Sequence, residues 1–173
     1  MIHSLKGVSP DTKESRFIAW NVEVVGDVIL GKDTGVWYSA SLRGDMAPIR
    51  VGDRTNVQDN AVLHVDTDLP LEVGSGVTIG HSAILHGCRI GNDCLIGMGA
   101  IVLNGAEVGE GSVVGAGALV TEGKKFPPRS LIVGSPAKAV KEVDDQMLVK
   151  IQANARAYVD MARDHQEGCE PVG

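Results

Sequence analysis

Aromatic residues are scarce in this chain of 173 residues, and long apolar runs are missing altogether. Aromatics make up only 3% of the sequence, so any hydrophobic core must be built from Val, Ile, Leu and Ala. No apolar run approaches the roughly 18 to 20 residues that a membrane-spanning helix needs, and the N-terminus shows no signal-peptide pattern. We therefore expect a protein that neither spans a membrane nor enters the secretory route.

Net positive charge is also missing, since the chain carries a formal charge of −6 and has a pI near 5.3. This acidity argues against nucleic acid and anionic membrane surfaces as partners. The three cysteines, Cys88, Cys94 and Cys169, form no CxxC pair, which favours a reducing compartment. We predict a single soluble, cytoplasmic domain with enough chain to bury a sizeable core.

Glycine is abundant, with 22 residues, and an aliphatic residue returns at every sixth position. A period of six fits neither a helix, which needs about 3.6, nor an isolated strand, which needs about 2. The aliphatic residues keep this spacing in three runs, interrupted by short insertions and one five-residue step: Ile18 to Leu42, Val51 to Leu63, and Val73 to Val120. The fourth residue after each aliphatic is usually small, and glycine often follows the aliphatic directly.

A repeat of this kind predicts a triangular coil in which each unit forms one short strand and one corner. The aliphatic residue points inward, the small residue fits the interior, and glycine relieves the corner backbone. Coils of about 18 residues then stack as parallel strands about 4.8 Å apart. The predicted fold class is therefore mainly β, a parallel β-helix of hexapeptide repeats that ends near Phe126 to Pro128.

The hydrophobic period becomes helical from about Asp144. A C-terminal α-helix of roughly 20 residues should pack along one side of the prism. We assign residues 1–142 to the β-helix with its N-terminal and connecting segments, and residues 143–173 to the helix and tail of the same domain.

Two histidines fall into register in this coil. Leu63 and Leu85 occupy equivalent corners on neighbouring coils, so His64 and His86, which follow them directly, stack in one column. Arg43 heads the same column one coil earlier. A lone histidine in a repeat protein is more often a surface hydrogen-bonding residue, but two imidazoles one strand apart suit a shared metal ion.

A third histidine, His81, belongs to a different face of the prism. It follows Ile79 by two positions in the preceding unit, so reaching the stacked pair within one chain would mean turning a corner. A neighbouring prism could present that face directly, which suggests a metal at a subunit interface. Val57 sets the same register for Gln58 and Asp59, one coil before His81.

The runs VWYSASLRGDMAPIRVGDRTNVQDNAVLHV and VTIGHSAILHGCRIGNDCLIGMGAIVLNGAEVGEGSVVGAGALV, with the later VGSPAK, resemble the γ-class carbonic anhydrases. The resemblance extends from about Ile18 to the C-terminal helix and includes the three histidines, RGD and NxQD. It implies a homotrimer of left-handed β-helices with a metal at each subunit interface. His64 and His86 would come from one subunit and His81 from its neighbour. The implied metal is Zn²⁺, with Fe²⁺ and Co²⁺ as alternatives.

The resemblance also implies an activity, the reversible hydration of CO₂ to bicarbonate. Three neutral imidazoles leave zinc an open coordination position, and such an ion lowers the pKa of bound water to about 7. The catalytic residues implied are Gln58, which would orient the hydroxide or bicarbonate, Asn56 close to it, and Tyr158 of the helix. Arg43 and Asp59 would form an ion pair between subunits, and Asp45 would join their network.

Two departures from the family pattern put fast turnover in doubt. The best-characterised catalysts have a glutamate directly after the RGD aspartate, where this chain has Met46. Their longer acidic loop after the first metal histidine is here the short DTDLPLE, whose Asp68 and Glu72 are the candidate proton shuttles. Two other functions therefore stay open, a hexapeptide acyltransferase and a non-enzymatic, metal-bearing assembly trimer. A slow esterase activity at the same zinc is a further alternative.

Overall fold

The structure, a computed structural model, describes residues 1–170 and 172 and consists of short strands followed by one helix. The strands are β1 (Ile2–His3), β2 (Phe17–Ile18), β3 (Glu23–Leu30), β4 (Gly35–Val36), β5 (Ser41–Val51), β6 (Asn56–Val57), β7 (Val62–His64), β8 (Leu71–Val73), β9 (Thr78–Ile79), β10 (Ile84–His86), β11 (Arg89–Ile90), β12 (Leu95–Ile96), β13 (Ile101–Val102), β14 (Glu107–Val108), β15 (Val113–Val114), β16 (Leu119–Val120), β17 (Lys125–Phe126), β18 (Ser130–Gly134) and β19 (Ala137–Glu142). The helix is α1 (Asp145–Gly168).

These strands form the three faces of a prism. The first face stacks β2, β4, β6, β9, β12, β15 and β18 in parallel, with β19 antiparallel at its edge. The second face stacks the first half of β5 with β7, β10, β13 and β16, and the third stacks its second half with β8, β11, β14 and β17. Strand β3 turns the same corner one coil earlier, and β1 pairs beside it. The predicted fold class, a mainly β parallel β-helix with a C-terminal helix, is confirmed.

The repeating aliphatic residues point inward, as the six-residue period predicts. Val57, Ile79 and Ile96 of the first face are all fully buried, and so are Leu63 and Leu85 of the second. The small residues of the repeat are buried between them: Ala40, Ala61, Ala83, Ala100, Ala106, Ser112 and Ala118. A continuous aliphatic core therefore runs the length of the prism and fixes which side chains face outward.

The glycine that follows many aliphatic residues has a different role from the predicted one. At Gly97 the backbone φ is not positive, but an added Cβ would lie 2.4 Å from the backbone nitrogen of Ala116 on the next coil. Glycine is therefore required there for the close approach of stacked coils. Corner residues with positive φ, such as Asn60 and Ser82, lie later in each repeat.

The prism extends further than predicted. Phe126 to Pro128 was expected to end it, yet β18 pairs in parallel with β15 and adds another strand to the first face. The reason is that Ile132, six residues after Phe126, fills the next inward position and is fully buried. The segment that was predicted as a connector is instead a hairpin of β18 and β19.

Helix α1 packs along β2, β4, β6 and β9 of the first face. The side chain of Asp144 caps its N-terminus by accepting a hydrogen bond from the N–H of Met147, and Ile151, Ala155 and Ala162 are its buried residues. The predicted helix is thus present and slightly longer than expected, with 24 residues. In the described part of the chain no helix is long and apolar enough to cross a membrane.

The second and third faces differ at their outward positions. On the third face a charge ladder alternates in sign from strand to strand: Arg50, Glu72, Arg89, Glu107 and Lys125. The same positions of the second face form an aliphatic stripe: Val62, Ile84, Ile101 and Leu119. The charge ladder is compatible with exposure to solvent, whereas the partly exposed aliphatic stripe is typical of a surface that contacts another protein.

Candidate metal centre

His64 and His86 lie side by side at the ends of β7 and β10, in the paired register that their sequence positions predict. The Nδ1 atom of His64 is 2.9 Å from the Nε2 atom of His86, and the ring centroids are 4.8 Å apart. Two imidazole ligands of a tetrahedral zinc, with Zn–N distances near 2.0–2.1 Å, would have their nitrogens about 3.3 Å apart. A small widening of this pair would therefore admit the ion.

The second ring nitrogen of His64 is held by a carboxylate. Its Nε2 lies 3.1 Å from an oxygen of Asp45, which also forms an ion pair with Arg43. Burial raises the pKa of Asp45, but the hydrogen bonds from His64 and Arg43 outweigh it and hold that pKa below its ordinary value. Asp45 is thus a charged acceptor at neutral pH and favours a proton on Nε2 of His64, which leaves Nδ1 as the nitrogen offered to a metal ion.

The second ring nitrogen of His86 also has an oxygen partner. Its Nδ1 is 2.5 Å from Oδ1 of Asn104, so His86 donates from Nδ1 and directs an Nε2 lone pair at His64. With a proton held on each second nitrogen, the two facing nitrogens approach this closely only with a cation, either a proton or a metal ion, between them. The donor set of this pair therefore fits a metal ion bound by neutral imidazoles.

His81 lies on the turn after β9, between the first and second faces, and its side chain is 40% exposed. Its Nδ1 is 2.9 Å from an oxygen of Asp59, which leaves Nε2 free to bind a metal. The backbone N–H of His81 donates to Oε1 of Gln58 at 3.1 Å. The structure thus places Gln58 and Asp59 beside His81, one coil earlier, as the register predicts.

A polar network surrounds Gln58 on this face. Its Nε2 donates to Oδ1 of Asn56 at 3.1 Å, and Asn56 Nδ2 donates to Oγ1 of Thr78 at 3.0 Å. Thr78 in turn donates to Oδ1 of Asn154 on α1 at 3.0 Å. Both ends of the Gln58 amide are therefore fixed. The sequence offered no sign of Thr78 or Asn154, because neither is a common ligand or catalytic residue.

Tyr158 of α1 borders a small cavity next to this network. The cavity has a volume of about 150 Å³, and Gln58, Thr78 and Met98 are among the residues that line it. Burial, and then the charge of Asp59, raise the pKa of Tyr158, so its hydroxyl stays protonated at neutral pH. The structure therefore brings the predicted residues Gln58, Asn56 and Tyr158 together on the His81 side.

The two halves of the predicted site do not meet within one chain. Among the described residues, no three His, Cys, Asp or Glu side chains converge so that they could hold a metal ion. Arg43 pairs with Asp45, and Asp59 pairs with His81. The ion pair of Arg43 with Asp59 across a subunit boundary stays a prediction.

Neither of the two candidate proton shuttles is hydrogen-bonded or ion-paired to His64 or His86 in the described part of the chain. Asp68 sits at the turn between β7 and β8 with a φ of 59°. Glu72 belongs to the charge ladder of the third face and forms an ion pair with Arg89 at 2.9 Å. Their shuttle role stays a prediction, and the acidic residue of this loop nearest the pair in the hydrogen-bond network is Asp66, through Asn104.

The two buried cysteines are core residues. Cys88 and Cys94 are 3% and 0% exposed, and burial raises the pKa of both thiols to about 12. Neither therefore supplies a thiolate at neutral pH, although Cys88 lies only two residues after His86.

Two known hexapeptide-repeat families match parts of this chain. Residues 87–122 match the family described as bacterial transferase hexapeptide (six repeats), and residues 70–103 match the hexapeptide repeat of succinyl-transferase. A solved structure from Bacillus cereus, named as a candidate acetyltransferase, is 41% identical, covers 96% of both chains and superposes with a TM-score of 0.93. Fold and repeat together define a hexapeptide-repeat β-helix protein.

Relatives that are named as carbonic anhydrases indicate a family within this class. A carbonic anhydrase of Geobacillus kaustophilus is 44% identical over 160 residues, covering 92% of this chain and 88% of its own length. The mitochondrial gamma carbonic anhydrase 2 of Arabidopsis thaliana is 39% identical over 163 residues, covering 91% of this chain and 59% of the plant protein. The chain belongs to the γ-class carbonic anhydrase family.

Proposed function

We propose that this chain hydrates CO₂ reversibly to bicarbonate with a zinc ion bound between neighbouring subunits of a homotrimer. The observation that carries the proposal is the pair of ring nitrogens of His64 and His86, which face each other at 2.9 Å with their second nitrogens held by acceptors. His81 would supply the third imidazole from the next chain. Fe²⁺ and Co²⁺ suit the same ligands.

The surface around the histidines supports an interface at this place. Met98 lies one coil beyond His81 on the same corner, since the N–H of Gly99 donates to the carbonyl of His81, and Met98 is 61% exposed. The aliphatic stripe lies on the second face, beside His64 and His86. A contact between this corner of one chain and the stripe of the next joins two different surfaces, so it can close into a ring.

The residues around the metal would each have a separate task. When bound, zinc supplies a water whose pKa is lowered to about 7. Gln58, fixed by Asn56 and by the backbone of His81, keeps one Nε2 hydrogen for a substrate oxygen. Tyr158 keeps its proton and closes the cavity on the helix side, where there is room for a substrate as small as CO₂.

Acyl transfer is the second candidate, because the Bacillus cereus neighbour is named as a candidate acetyltransferase. Such an enzyme needs one histidine as a general base rather than a set of imidazoles with fixed tautomers. Metal analysis, a CO₂ hydration assay and an acetyl-CoA binding assay on one preparation separate the candidates. A protein that binds metal and hydrates CO₂ supports our proposal. A protein that binds metal but neither hydrates CO₂ nor binds acetyl-CoA supports an assembly role. A protein that binds acetyl-CoA but no metal supports acyl transfer.

We expect CO₂ hydration to be weak to moderate and to rise with buffer concentration. Met46 is exposed and cannot carry a proton, and among the described residues neither Asp68 nor Glu72 forms a hydrogen bond or ion pair with His64 or His86. Proton transfer to solvent would then limit turnover, and a buffer base would accelerate it. Stopped-flow rates across a buffer series at fixed pH and ionic strength test this. A high rate that does not respond to buffer would show that a group of the protein shuttles well.

Ile101→Glu should dissociate the trimer and reduce its metal content. Ile101 lies in the aliphatic stripe, and a carboxylate buried there without a partner costs several kcal/mol. Light scattering should show the 18.2 kDa monomer in place of a species of three chains.

Ile29→Glu is the matched control for this variant. Ile29 is 42% exposed on the third face and lies opposite Arg50, so the same substitution adds a compatible charge to the ladder. It should leave the trimer and its metal intact. A trimer that survives Ile101→Glu, or that is lost in both variants, would contradict the assignment of the interface to the second face.

A further inference from the structure

Asn104 connects the histidine pair to a side chain that does not touch it. Its Oδ1 accepts from Nδ1 of His86 at 2.5 Å, while its Nδ2 donates to Oδ2 of Asp66 at 3.2 Å. The other oxygen of Asp66 accepts from the N–H of Thr67 at 2.8 Å. Hydrogen bonds therefore link the imidazole of His86 through Asn104 to the carboxylate of Asp66, which also accepts from the loop backbone after β7.

The direction of these hydrogen bonds is set at Asp66. A carboxylate only accepts hydrogen bonds, so Asn104 must turn its NH₂ group to Asp66 and its carbonyl oxygen to His86. His86 must then carry its proton on Nδ1, which leaves the lone pair of Nε2 facing His64. The opposite orientation of the amide would place a proton on Nε2, where a metal ion could not bind.

The backbone around Asn104 supports the same placement. Its carbonyl accepts from the N–H of Gly123 at 2.8 Å, and Gly105 donates to the carbonyl of Gly87 at 2.7 Å. A Cβ on Gly87 would lie 2.9 Å from Oδ1 of Asn104, and Gly87 has a φ of 50°. The glycine after His86 thus leaves the space through which Asn104 reaches the imidazole.

We infer that Asn104, oriented by Asp66, is a positioning residue that fixes the tautomer of His86 for metal binding. The inference rests on the proposed function in that it assigns His86 as a metal ligand. Hydrogen-bond partners of metal-bound histidines typically contribute about 10- to 100-fold to metal affinity.

Asp66→Asn tests the inference without altering either His86 or Asn104. The new amide keeps an oxygen for the N–H of Thr67 and turns its NH₂ group towards Asn104. Asn104 must then present its oxygen to position 66 and its NH₂ group to His86, which reverses the tautomer. We expect zinc binding, measured by competition with a chelator, to weaken by about 10- to 100-fold. Nitrogen-15 NMR of the metal-free protein should show His86 protonated on Nε2 instead of Nδ1.

The double variant Asp66→Asn/Asn104→Asp restores an acceptor for Nδ1 of His86 by moving the carboxylate from position 66 to position 104. The amide at position 66 donates to the carboxylate at position 104, whose other oxygen accepts from Nδ1 of His86. Zinc affinity and the original tautomer should both return. Asp53→Asn is the control, since a side-chain oxygen of Asp53 also accepts from a backbone N–H, that of Lys32 on the neighbouring coil at 2.9 Å, but Asp53 lies on another corner. It should change neither measurement.

The outcomes separate this inference from the proposed function. An unchanged tautomer or an unchanged zinc affinity in Asp66→Asn overturns the positioning role, as does a double variant that recovers neither. If the unmodified protein binds no zinc, the proposed function fails. The NMR comparison on the metal-free protein then still decides whether Asp66 and Asn104 set the tautomer of His86.

Discussion

Replacing His86 by alanine is expected to empty the metal site and to reduce CO₂ hydration to background. Structural zinc sites with about four ligands bind with roughly 10–16 kcal/mol, so one ligand carries about 3 kcal/mol, or at least on the order of 100-fold in affinity. His64 would be left as the only imidazole of its chain at the site. Metal content per chain after dialysis, measured by mass spectrometry, should fall from near one to near zero, and the hydration rate should fall with it.

His3→Ala is the control for this loss. His3 belongs to the same column of the second face, because β1 pairs with β3, and β3 with β5. It pairs with Glu23 at 2.7 Å and has no other histidine as a partner in the described structure. Its replacement should leave metal content and activity unchanged. A His86→Ala protein that keeps full metal content would show that His86 is not a ligand.

The fold and the histidine register were readable from the sequence because a β-helix converts distance along the chain directly into position in space. Each six-residue unit forms one strand, so the offset from Leu63 to Leu85 was enough to stack His64 on His86. The same rule assigned His81 to a different face, and the structure places it on the turn that follows β9 of the first face. Few folds allow spatial neighbours to be predicted from sequence offsets alone, since in most folds the period of the sequence does not determine the tertiary contacts.

The partners of the histidines could not be found in this way. The period sets which residues point inward, but Asn104 and Asp66 lie on turns, where side-chain direction depends on local backbone angles and on neighbouring coils. Asn104 lies beside Gly87 on the next coil, so its position was within reach of the register. The function of Asn104 could not be predicted in this way, because asparagine is a common residue at turns.

The predicted end of the β-helix was wrong for a similar reason. Pro127 and Pro128 break the local pattern and suggest a terminus, although Phe126 and Ile132 continue the six-residue spacing across them. The tertiary stacking of β18 on β15 outweighs the local signal, since the pairing buries Ile132 completely.

Complementation between two inactive variants has the second large effect that we expect. His81→Ala keeps His64 and His86 but lacks the third ligand, and His64→Ala keeps His81 but lacks half of the pair. Neither homotrimer can build a complete site if the ligands come from two chains. In any mixed trimer, however, one boundary joins a chain with an intact pair to a neighbour with an intact His81, in the direction that the ring requires.

Refolding the two variants together in equal amounts tests this central claim most directly. Random assortment gives about three mixed trimers in every four, each with one complete site out of three, so metal content should recover to about one quarter of the wild-type value. Differently tagged chains that purify together show that mixed trimers have formed. The account predicts metal and CO₂ hydration in that mixed fraction and in neither parent. Mixed trimers with no more metal than the parents would show that all the ligands lie on one chain, and the interfacial site would be wrong.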